Sequence, residues 1–367
     1  MKICFIAGSF PYMKDGVGDY TSMVANNLAD MGYEVSVITS KEANNRVSNF
    51  KVYNIISKFN YKSIKIIVKK LKEIKPDIIH IQYPSPVFYN TKISRYLLPI
   101  AIKLKIKNAK LVETIHEYFK CKLIGRSILW LHYKIMDATF FAEEYYNNLV
   151  KKDFPNTYKK MNIINIPIIS FIPESKLSEL EKRALREKLN LKEKKIISYF
   201  GFARPNKGID TLFEAFNLLE DENINLLYIG ELKENNEYQK SLLELMKKLK
   251  IKNRVIITGY LKESTQVADY LSISDVCVLP YKDGLKSRYT SFFSACNQNV
   301  KIITTSLSDR PSEKGIYYIE PNNSKKLALK IKEVIYGKNI KSNKRIRTTW
   351  QDIAKLHIKA YKDLRRN

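Results

Sequence analysis

Residues 195–210 have the sequence KIISYFGFARPNKGID, which joins an apolar run to a glycine loop and the start of a helix. The run KIISYF suits a strand buried on both faces. Gly201 and Pro205 end the run, and the residues after Lys207 have helical spacing. Strand, glycine loop and helix in this order are typical of a doubly wound parallel sheet.

The same alternation continues to both sides of this stretch. Downstream, the pattern predicts the strands INLLYIG, RVIITGY, DVCVLPY and VKIITT, with helices from Asn236, Thr265 and about Thr290 and a last helix near Lys325 to Ile335. Upstream, helical segments alternate with the strands ICFIA, YEVSVIT, DIIHIQ and KLVETIH, and a further strand is predicted around Met161 to Ile166. Strands that alternate with helices are joined by right-handed crossovers into parallel sheets. The fold class is therefore predicted to be α/β, with two Rossmann-like doubly wound halves.

The boundary between the halves is expected where the alternation breaks, at Pro167 and Pro173. A chain of 367 residues also exceeds the roughly 250–300 residues at which a single core stops growing. We predict a first domain over residues 1–170 and a second over 171–348, facing each other across a ligand-binding cleft. Helix 349–367 has an apolar face and is expected to pack back on the first domain.

The charge of the chain is strongly positive. There are 64 Lys and Arg against 37 Asp and Glu, which leaves +27. Such a surplus attracts nucleic acid, an anionic lipid surface or a phosphate-bearing substrate. No nucleic-acid motif accompanies it, so nucleic acid is not an expected partner. Residues 51–75 hold eight Lys and one Glu, and this segment is predicted to face an anionic membrane.

The targeting and metal signals of the sequence are weak. No cleavage site follows the opening apolar run, and no run approaches the roughly 18 residues of a membrane span. The four cysteines form no C-x-x-C pair, which favours reduced, buried thiols. We expect a cytoplasmic protein, peripheral on the inner face of the membrane. With four His and no H-E-x-x-H motif, no metal is expected. Thr39 and Ser40, where a nicotinamide or flavin site would have an acidic residue, also make such a cofactor unexpected.

Candidate site residues of the first domain lie where strands end. Glycines in the loop after the first strand let backbone N–H groups approach a phosphate at a helix N-terminus. Two other strands end in HIQ and ETIH, so their histidines are expected to point into the cleft. The candidate site residues here are Gly16, Val17, Gly18, Asp19, Tyr20, His80, Gln82 and His116.

The second domain offers cations at the mouth of a helix. Arg204 and Lys207 could neutralise charge on a leaving diphosphate. Asp283 could accept hydrogen bonds from sugar hydroxyls, and Arg288 could bind a phosphate or order its loop. The remaining candidate site residues are Tyr260, Gly284, Thr290 and Ser291, the last two as helix caps or anion contacts.

These segments resemble the retaining glycosyltransferases of the GT-B fold, specifically glycosyltransferase family 4. The resemblance rests on the D-G-V-G-D-Y loop, R-x-x-K-G at 204–208, TGYL at 258–261, ISDVCVLPY at 273–281 and the TWQDIA helix. It implies that the glycine loop and the Arg204/Lys207 pair embrace a nucleotide diphosphate, and that His116 lies beside the transferred sugar. On this resemblance, the residues expected to be catalytic are His116, Arg204 and Lys207, and those expected on the acceptor side are Asp19, Tyr20, His80 and Gln82. The residues expected to bind the donor are Gly16, Val17, Gly18, Arg204, Lys207, Tyr260, Asp283, Gly284, Arg288, Thr290 and Ser291.

One feature departs from the family pattern. Lys286 and Ser294 stand where the family usually has the two glutamates of its E-x7-E motif, although Asp283, Gly284, Arg288 and Ser291 fit a known variant. The expected activity is metal-independent, retaining transfer from a nucleotide sugar to a glycan, lipid-linked or protein-linked hydroxyl in bacterial surface glycan synthesis. The alternatives are a non-catalytic GT-B protein that binds a partner transferase or glycan, and another GT-B enzyme such as a sugar-nucleotide epimerase.

Overall fold

The structure, a computed structural model, contains two compact units: Met1–Ile168 with Thr348–Asn367, and Ile169–Arg347. It describes all residues except 12, 14, 44–48, 59, 84–91, 117–129, 168, 288, 314, 338–347 and 367, and only the backbone of residues 92–96. Each unit is built on its own parallel sheet.

The sheet of the first unit has the strand order β3-β2-β1-β4-β5-β6-β7, and all its pairings are parallel. Its central strands are almost wholly buried, as expected for strands covered on both faces. The strands are β1 (Lys2–Ile6), β2 (Glu34–Ser40), β3 (Lys51–Ile56), β4 (Ile78–Tyr83), β5 (Lys110–Ile115), β6 (Ala138–Phe141) and β7 (Ile163–Asn165).

The helices of this unit are α1 (Gly16–Asp30), α2 (Tyr61–Ile74), α3 (Lys92–Lys105), α4 (Glu144–Asp153), α5 (Pro155–Tyr158) and the terminal α12 (Trp350–Arg366). Helix α2 begins at a capping box in which Asn60 and Ser63 satisfy each other's backbone N–H groups. Helix α12 packs against α1 and buries Ile353, His357 and Tyr361. The terminal helix is thus part of the first unit's core.

The second unit repeats the plan with the order β10-β9-β8-β11-β12-β13, again all parallel. Its strands are β8 (Lys195–Phe200), β9 (Ile224–Ile229), β10 (Val255–Ile257), β11 (Val276–Leu279), β12 (Lys301–Thr305) and β13 (Ile316–Ile319). Its helices are α6 (Glu179–Lys188), α7 (Ile209–Asn217), α8 (Glu237–Lys248), α9 (Ser264–Ser272), α10 (Thr290–Asn297) and α11 (Ser324–Tyr336), with short 3-10 helices at Pro205–Lys207 and Lys252–Arg254. Two Rossmann-like parallel sheets confirm the predicted fold class.

The sequence patterns missed three strands: β3, β6 and β13. β3 and β13 are edge strands and only half-buried over their middle residues, and the apolar run of β13 is only four residues long. β6 has four residues, too few for a period to show. Three cysteines are buried free thiols, Cys4, Cys277 and Cys296, and Cys121 lies outside the described residues.

Candidate functional site

The loop between β1 and α1 lies close against the first turn of the helix. A Cβ at Gly18 would lie 3.0 Å from the backbone nitrogen of Phe10, closer than side chains normally approach backbone. At Gly16 a Cβ would meet nothing within 4 Å. Close packing therefore explains Gly18 but not Gly16. Val17 is half-buried in the same turn.

Asp19 is half-buried in this first turn, where its N–H donates to the backbone oxygen of Asp15 at 3.2 Å. Burial raises the pKa of Asp19 to about 7, and the Asp15 carboxylate adds to the effect. The hydroxyl of Ser9 donates to Asp15. A carboxyl group that titrates near neutrality can donate or accept a hydrogen bond, so Asp19 suits a polar ligand of either kind.

Two strands, β4 and β5, carry a row of polar side chains on one face. Gln82 lies beside Thr114 in the register, and residues two apart on a strand share a face. His80 Nε2 is 2.7 Å from Thr114 Oγ1, and His116 Nε2 is 2.8 Å from Gln82 Oε1. Two diagonal cross-strand pairs therefore follow each other toward the carboxyl ends of the strands.

The placement expected for His80 is wrong. His80 lies in the middle of β4 with no exposed surface, and both ring nitrogens are bonded, Nδ1 to the hydroxyl of Tyr361 and Nε2 to Thr114. Its ring stacks on Phe5, with centroids 5.2 Å apart. Burial holds the pKa of His80 well below its usual value, assisted by His357 and His116. His80 therefore belongs to the core of the first unit.

His116 lies one residue beyond β5 and is half-buried. Its N–H donates to Tyr83 O at 2.7 Å, and its ring meets Tyr20 edge-on with centroids 4.9 Å apart. Burial, and then His357, lowers the pKa of His116 to about 3. The imidazole is therefore neutral at physiological pH and can act as a hydrogen-bond acceptor.

Helix α12 supports this face from its other side. His357 stacks on Phe140 at 4.9 Å, and its Nε2 lies 3.4 Å from the hydroxyl of Tyr20. Burial lowers the pKa of His357 to about 4 and raises that of Tyr20. Tyr20, predicted on the acceptor side, is buried, and it connects α12 to the edge of the His116 ring.

In the second unit, the β8–α7 loop passes close to β11. Gly208 has a φ of 66°, and a Cβ there would lie 1.9 Å from Pro280 O. The close approach and the left-handed backbone both require glycine. The Arg204 side chain is exposed and forms no hydrogen bond or ion pair with the described residues. It is therefore available to an anionic ligand.

Lys207 lies against two tyrosines of the β11–α10 loop. Its Nζ is 3.8 Å from the ring centroid of Tyr289 and 4.7 Å from that of Tyr281. The two rings are themselves 4.1 Å apart, and Tyr281 is fully buried. Cation–π contacts of this kind hold an ammonium group in place.

Asp283 is engaged by its own loop. It accepts hydrogen bonds from the Tyr289 hydroxyl at 2.6 and 2.7 Å and forms an ion pair with Lys286 at 2.5 Å. Burial alone would raise its pKa, but the bonds from Lys286 and Tyr289 outweigh it and hold the pKa below its usual value. Asp283 is thus an anion at neutral pH that orders the loop.

The other predicted residues of the second unit differ in position. Neither Thr290 nor Ser291 caps α10, because Tyr289 is the N-cap residue and makes no side-chain cap bond. Ser291 is buried, with its Oγ 2.7 Å from the Tyr281 hydroxyl. Gly284 lies in a turn, where its N–H donates to Tyr281 O. Tyr260 is exposed after the edge strand β10, and Arg288 lies outside the described residues.

Sequence reasoning missed the residues that join these loops. Asn206 Nδ2 donates to the Tyr289 hydroxyl at 3.1 Å, and Lys282 pairs with Asp210 at 2.5 Å. The aromatic residues of P-Y-K-D-G-L-K-S-R-Y were the available signal. At the positions of the two missing glutamates, Lys286 pairs with Asp283, and Ser294 is buried with its Oγ 3.1 Å from Ser170 Oγ.

The described residues contain neither a cluster of metal-ligating side chains nor a membrane-spanning helix. No group of three or more His, Cys, Asp and Glu residues there is arranged to hold a metal ion. None of the helices there combines the length and apolar character needed to cross a bilayer.

Comparison with known proteins gives two family matches. The model described as "Glycosyl transferase 4-like" matches residues 2–115, and that described as "Glycosyl transferases group 1" matches residues 181–351. Each match falls almost entirely on one of the two units. A search of curated protein sequences finds no significant match.

Solved structures with the same fold include a glycosyltransferase from Rickettsia africae, with 18% identity and a TM-score of 0.76 over 100% of this chain and 99% of that one. HepE from Anabaena, solved with UDP and glucose, has 14% identity and a TM-score of 0.70 over 100% and 98%. WaaG, a glycosyltransferase involved in lipopolysaccharide biosynthesis, has 12% identity and a TM-score of 0.63 over 99% and 98%.

At these identities the structures establish the fold, while the family models establish the kinship of both units. Together the two matches extend over most of the chain. The chain therefore belongs to the GT-B glycosyltransferases of the glycosyltransferase family 4 type.

Proposed function

We propose that the chain transfers a sugar from a nucleoside-diphosphate sugar to an acceptor hydroxyl with retention of anomeric configuration. The observation that carries this proposal is the pair of cations in the β8–α7 loop: Lys207, held against Tyr281 and Tyr289, and the exposed Arg204. They are suited to a diphosphate leaving group. HepE, which shares the fold, was solved with UDP and glucose, which supports a donor of this class.

In the proposed reaction, the bond between the anomeric carbon and the diphosphate oxygen breaks while a bond to the acceptor oxygen forms on the same face. The acceptor's proton passes to the departing phosphate. Charge grows on the diphosphate as its bond stretches, and Arg204 and Lys207 stabilise it. Because these cations are part of the chain, we propose that transfer needs no divalent metal ion and no cofactor.

We assign the donor mainly to the second unit and the acceptor to the first. Donor binding is proposed to use Gly16, Val17, Gly18, Arg204, Lys207, Tyr260, Asp283, Gly284, Arg288, Thr290 and Ser291. His116 is proposed to lie beside the transferred sugar, with Asp19, Tyr20 and Gln82 on the acceptor side. The half-buried position and neutral ring of His116 support this role, since a neutral imidazole nitrogen can accept a hydrogen bond from a sugar hydroxyl.

Differential scanning fluorimetry with nucleoside diphosphates and nucleotide sugars tests the donor class. We expect one nucleoside diphosphate to raise the melting temperature of the wild type and Lys207→Ala to abolish the shift. Lys247→Ala, at the end of α8, is the matched control. If no nucleoside diphosphate stabilises the wild type, or Lys207→Ala responds like the control, the proposal fails.

A transfer assay separates catalysis from binding alone. Release of the nucleoside diphosphate should depend on an acceptor and should persist in EDTA, and NMR of the product should show the anomeric configuration of the donor. If the protein binds the nucleotide sugar but forms no nucleoside diphosphate with any surface-glycan or lipid-linked acceptor, it is a non-catalytic member of the fold. Loss of activity in EDTA would contradict metal independence.

We further propose that the acceptor is a bacterial surface glycan or its lipid-linked precursor, reached at the inner face of the membrane. Helix α2 carries exposed lysines and two exposed apolar residues, Tyr61 and Ile66. Lys62, Lys65, Lys69 and Lys72 are exposed, whereas Lys70 pairs with Glu73 and lies over Tyr53. Each exposed lysine near an anionic surface contributes about 1 kcal/mol at most.

Liposome sedimentation tests this surface. Binding should rise with the fraction of anionic lipid, fall with salt, and weaken when Lys62, Lys65 and Lys69 are replaced by Gln. Replacing the three lysines of α8, Lys240, Lys247 and Lys248, is the control for net charge. Binding that ignores lipid charge, or that responds equally to both replacements, would refute the proposal.

A further inference from the structure

The contact between Gln82 and His116 restricts both side chains. The Gln82 side chain is fully buried and places Oε1 2.8 Å from Nε2 of His116. The His116 ring is also bounded by Tyr20, whose centroid lies 4.9 Å away at 73°. One edge of the imidazole is therefore fixed by the amide and one side by an aromatic ring, while the residue as a whole stays half-buried.

The hydrogen bond decides which nitrogen carries the proton. A neutral imidazole has one N–H group, and an amide oxygen can only accept. The bond to Gln82 Oε1 therefore places the hydrogen on Nε2 of His116 and leaves a lone pair on Nδ1. Among the described residues, Nδ1 has no hydrogen-bond partner. The tautomer leaves the second nitrogen free to accept a hydroxyl.

Stability does not account for the amide at position 82. Nε2 of Gln82 is buried and has no hydrogen-bond partner within the part of the chain that the structure describes. A buried donor without a partner makes the folded protein less stable than an apolar group of the same shape would at that position. A methionine would fill the same space without that penalty. Local features that reduce stability without an evident structural gain are typical of functional sites.

We propose that Gln82 is a positioning residue that holds His116 in its Nε2–H tautomer, so that Nδ1 accepts a hydrogen bond from a hydroxyl of the transferred sugar. This inference rests on the proposed sugar-transfer function for its substrate. The neighbouring pair on the same sheet face, His80 with Thr114, performs no such task because it is closed over by Tyr361. Thr114 therefore offers a matched control.

The experiment compares the wild type, Gln82→Met and Thr114→Val. Long-range proton–nitrogen NMR of histidine-labelled protein reports the tautomer, and four histidines are few enough to assign by single substitutions. We expect the Nε2–H form in the wild type and in Thr114→Val, and a mixture or the Nδ1–H form in Gln82→Met. The melting temperature of Gln82→Met should stay at or above that of the wild type.

Kinetics supply the second measurement. Loss of one transition-state hydrogen bond should lower kcat of Gln82→Met about tenfold, with a smaller change in KM, and leave Thr114→Val unaffected. A wild-type Nδ1–H tautomer, or an unchanged tautomer and kcat in Gln82→Met, would overturn the proposal. If no donor is bound or turned over, the proposed function fails, while the tautomer comparison still decides what Gln82 does to His116.

Discussion

The ammonium nitrogen of Lys207 lies 3.8 Å from the centroid of the Tyr289 ring. The hydroxyl of the same tyrosine donates to Asp283 and accepts from Asn206. One aromatic side chain therefore joins the β8–α7 loop, which carries the cation, to the β11–α10 loop, which carries the carboxylate. The position of Lys207 therefore depends on both loops.

Replacing Tyr289 separates the roles of ring and hydroxyl. Tyr289→Leu should weaken nucleoside-diphosphate binding about 5- to 30-fold, because a partly desolvated cation–π contact contributes about 1–2 kcal/mol. Tyr289→Phe keeps the ring and should retain most of the affinity. Isothermal titration calorimetry measures both. Equal losses in the two variants would show that the hydroxyl, through Asp283, matters more than the ring.

Gly208→Ala should destabilise the second unit by about 3 kcal/mol, because the new Cβ would collide with Pro280 O at 1.9 Å. Gly259→Ala is the control. Gly259 also has a left-handed backbone, with φ of 74°, but a Cβ there would meet nothing within 4 Å. Urea denaturation followed by circular dichroism should place Gly259→Ala clearly between the wild type and Gly208→Ala. Equal losses of unfolding free energy in the two variants would show that the left-handed φ, and not the collision with Pro280, causes the destabilisation.

His357 should make stability fall in acid. Its pKa in the folded protein is about 4, against roughly 6.5 when unfolded, so between these values the unfolded chain binds the extra proton. The free energy of unfolding therefore falls as pH drops, by about 3 kcal/mol between pH 7 and 4 from this group. His357→Phe keeps the stacking on Phe140 and should lose this part of the pH dependence. A variant with the wild-type pH dependence would contradict the prediction.

Asp19 should contribute a pH dependence of stability opposite to that of His357. Its folded pKa of about 7 exceeds the unfolded value of roughly 3.9, so the folded protein binds the extra proton between them. Wild-type stability from this group is present in acid and is lost as pH rises toward 7. Asp19→Asn should therefore gain about 2–4 kcal/mol relative to the wild type between pH 4 and 7. Denaturation at both pH values checks this, and a constant difference would refute it.

Much of the fold could be predicted because the buried strands have continuous apolar runs. KIISYF became β8, DIIHIQ except its Asp77 lies in β4, and the alternation of these strands with helices required parallel pairing. The strands missed were the half-buried edges β3 and β13 and the short β6. Their burial depends on what covers them, and a single strand does not carry that information.

The sequence predicted where the candidate site residues lie along the strands better than it predicted which side chains they contact. Lys207 and His116 are where the strand ends placed them, but Tyr289 and Gln82 acquire their partners only through tertiary contacts. His80 shows the difference most directly. Its place near the end of an apolar run suggested an open histidine, whereas Tyr361, 281 residues later, covers it.

By itself, the sequence determined the two Rossmann-like sheets and the loops that carry glycine and cations, because periodicity and turn chemistry are local properties of the chain. Only the tertiary structure decided which polar side chains stay available to a ligand. Helix α12 closes over His80 and leaves His116 half-buried, and Tyr289 meets Lys207 although 82 residues separate them. Burial and hydrogen bonding are set by neighbours distant in sequence, so the chemistry of each side chain appears only when the chain is folded.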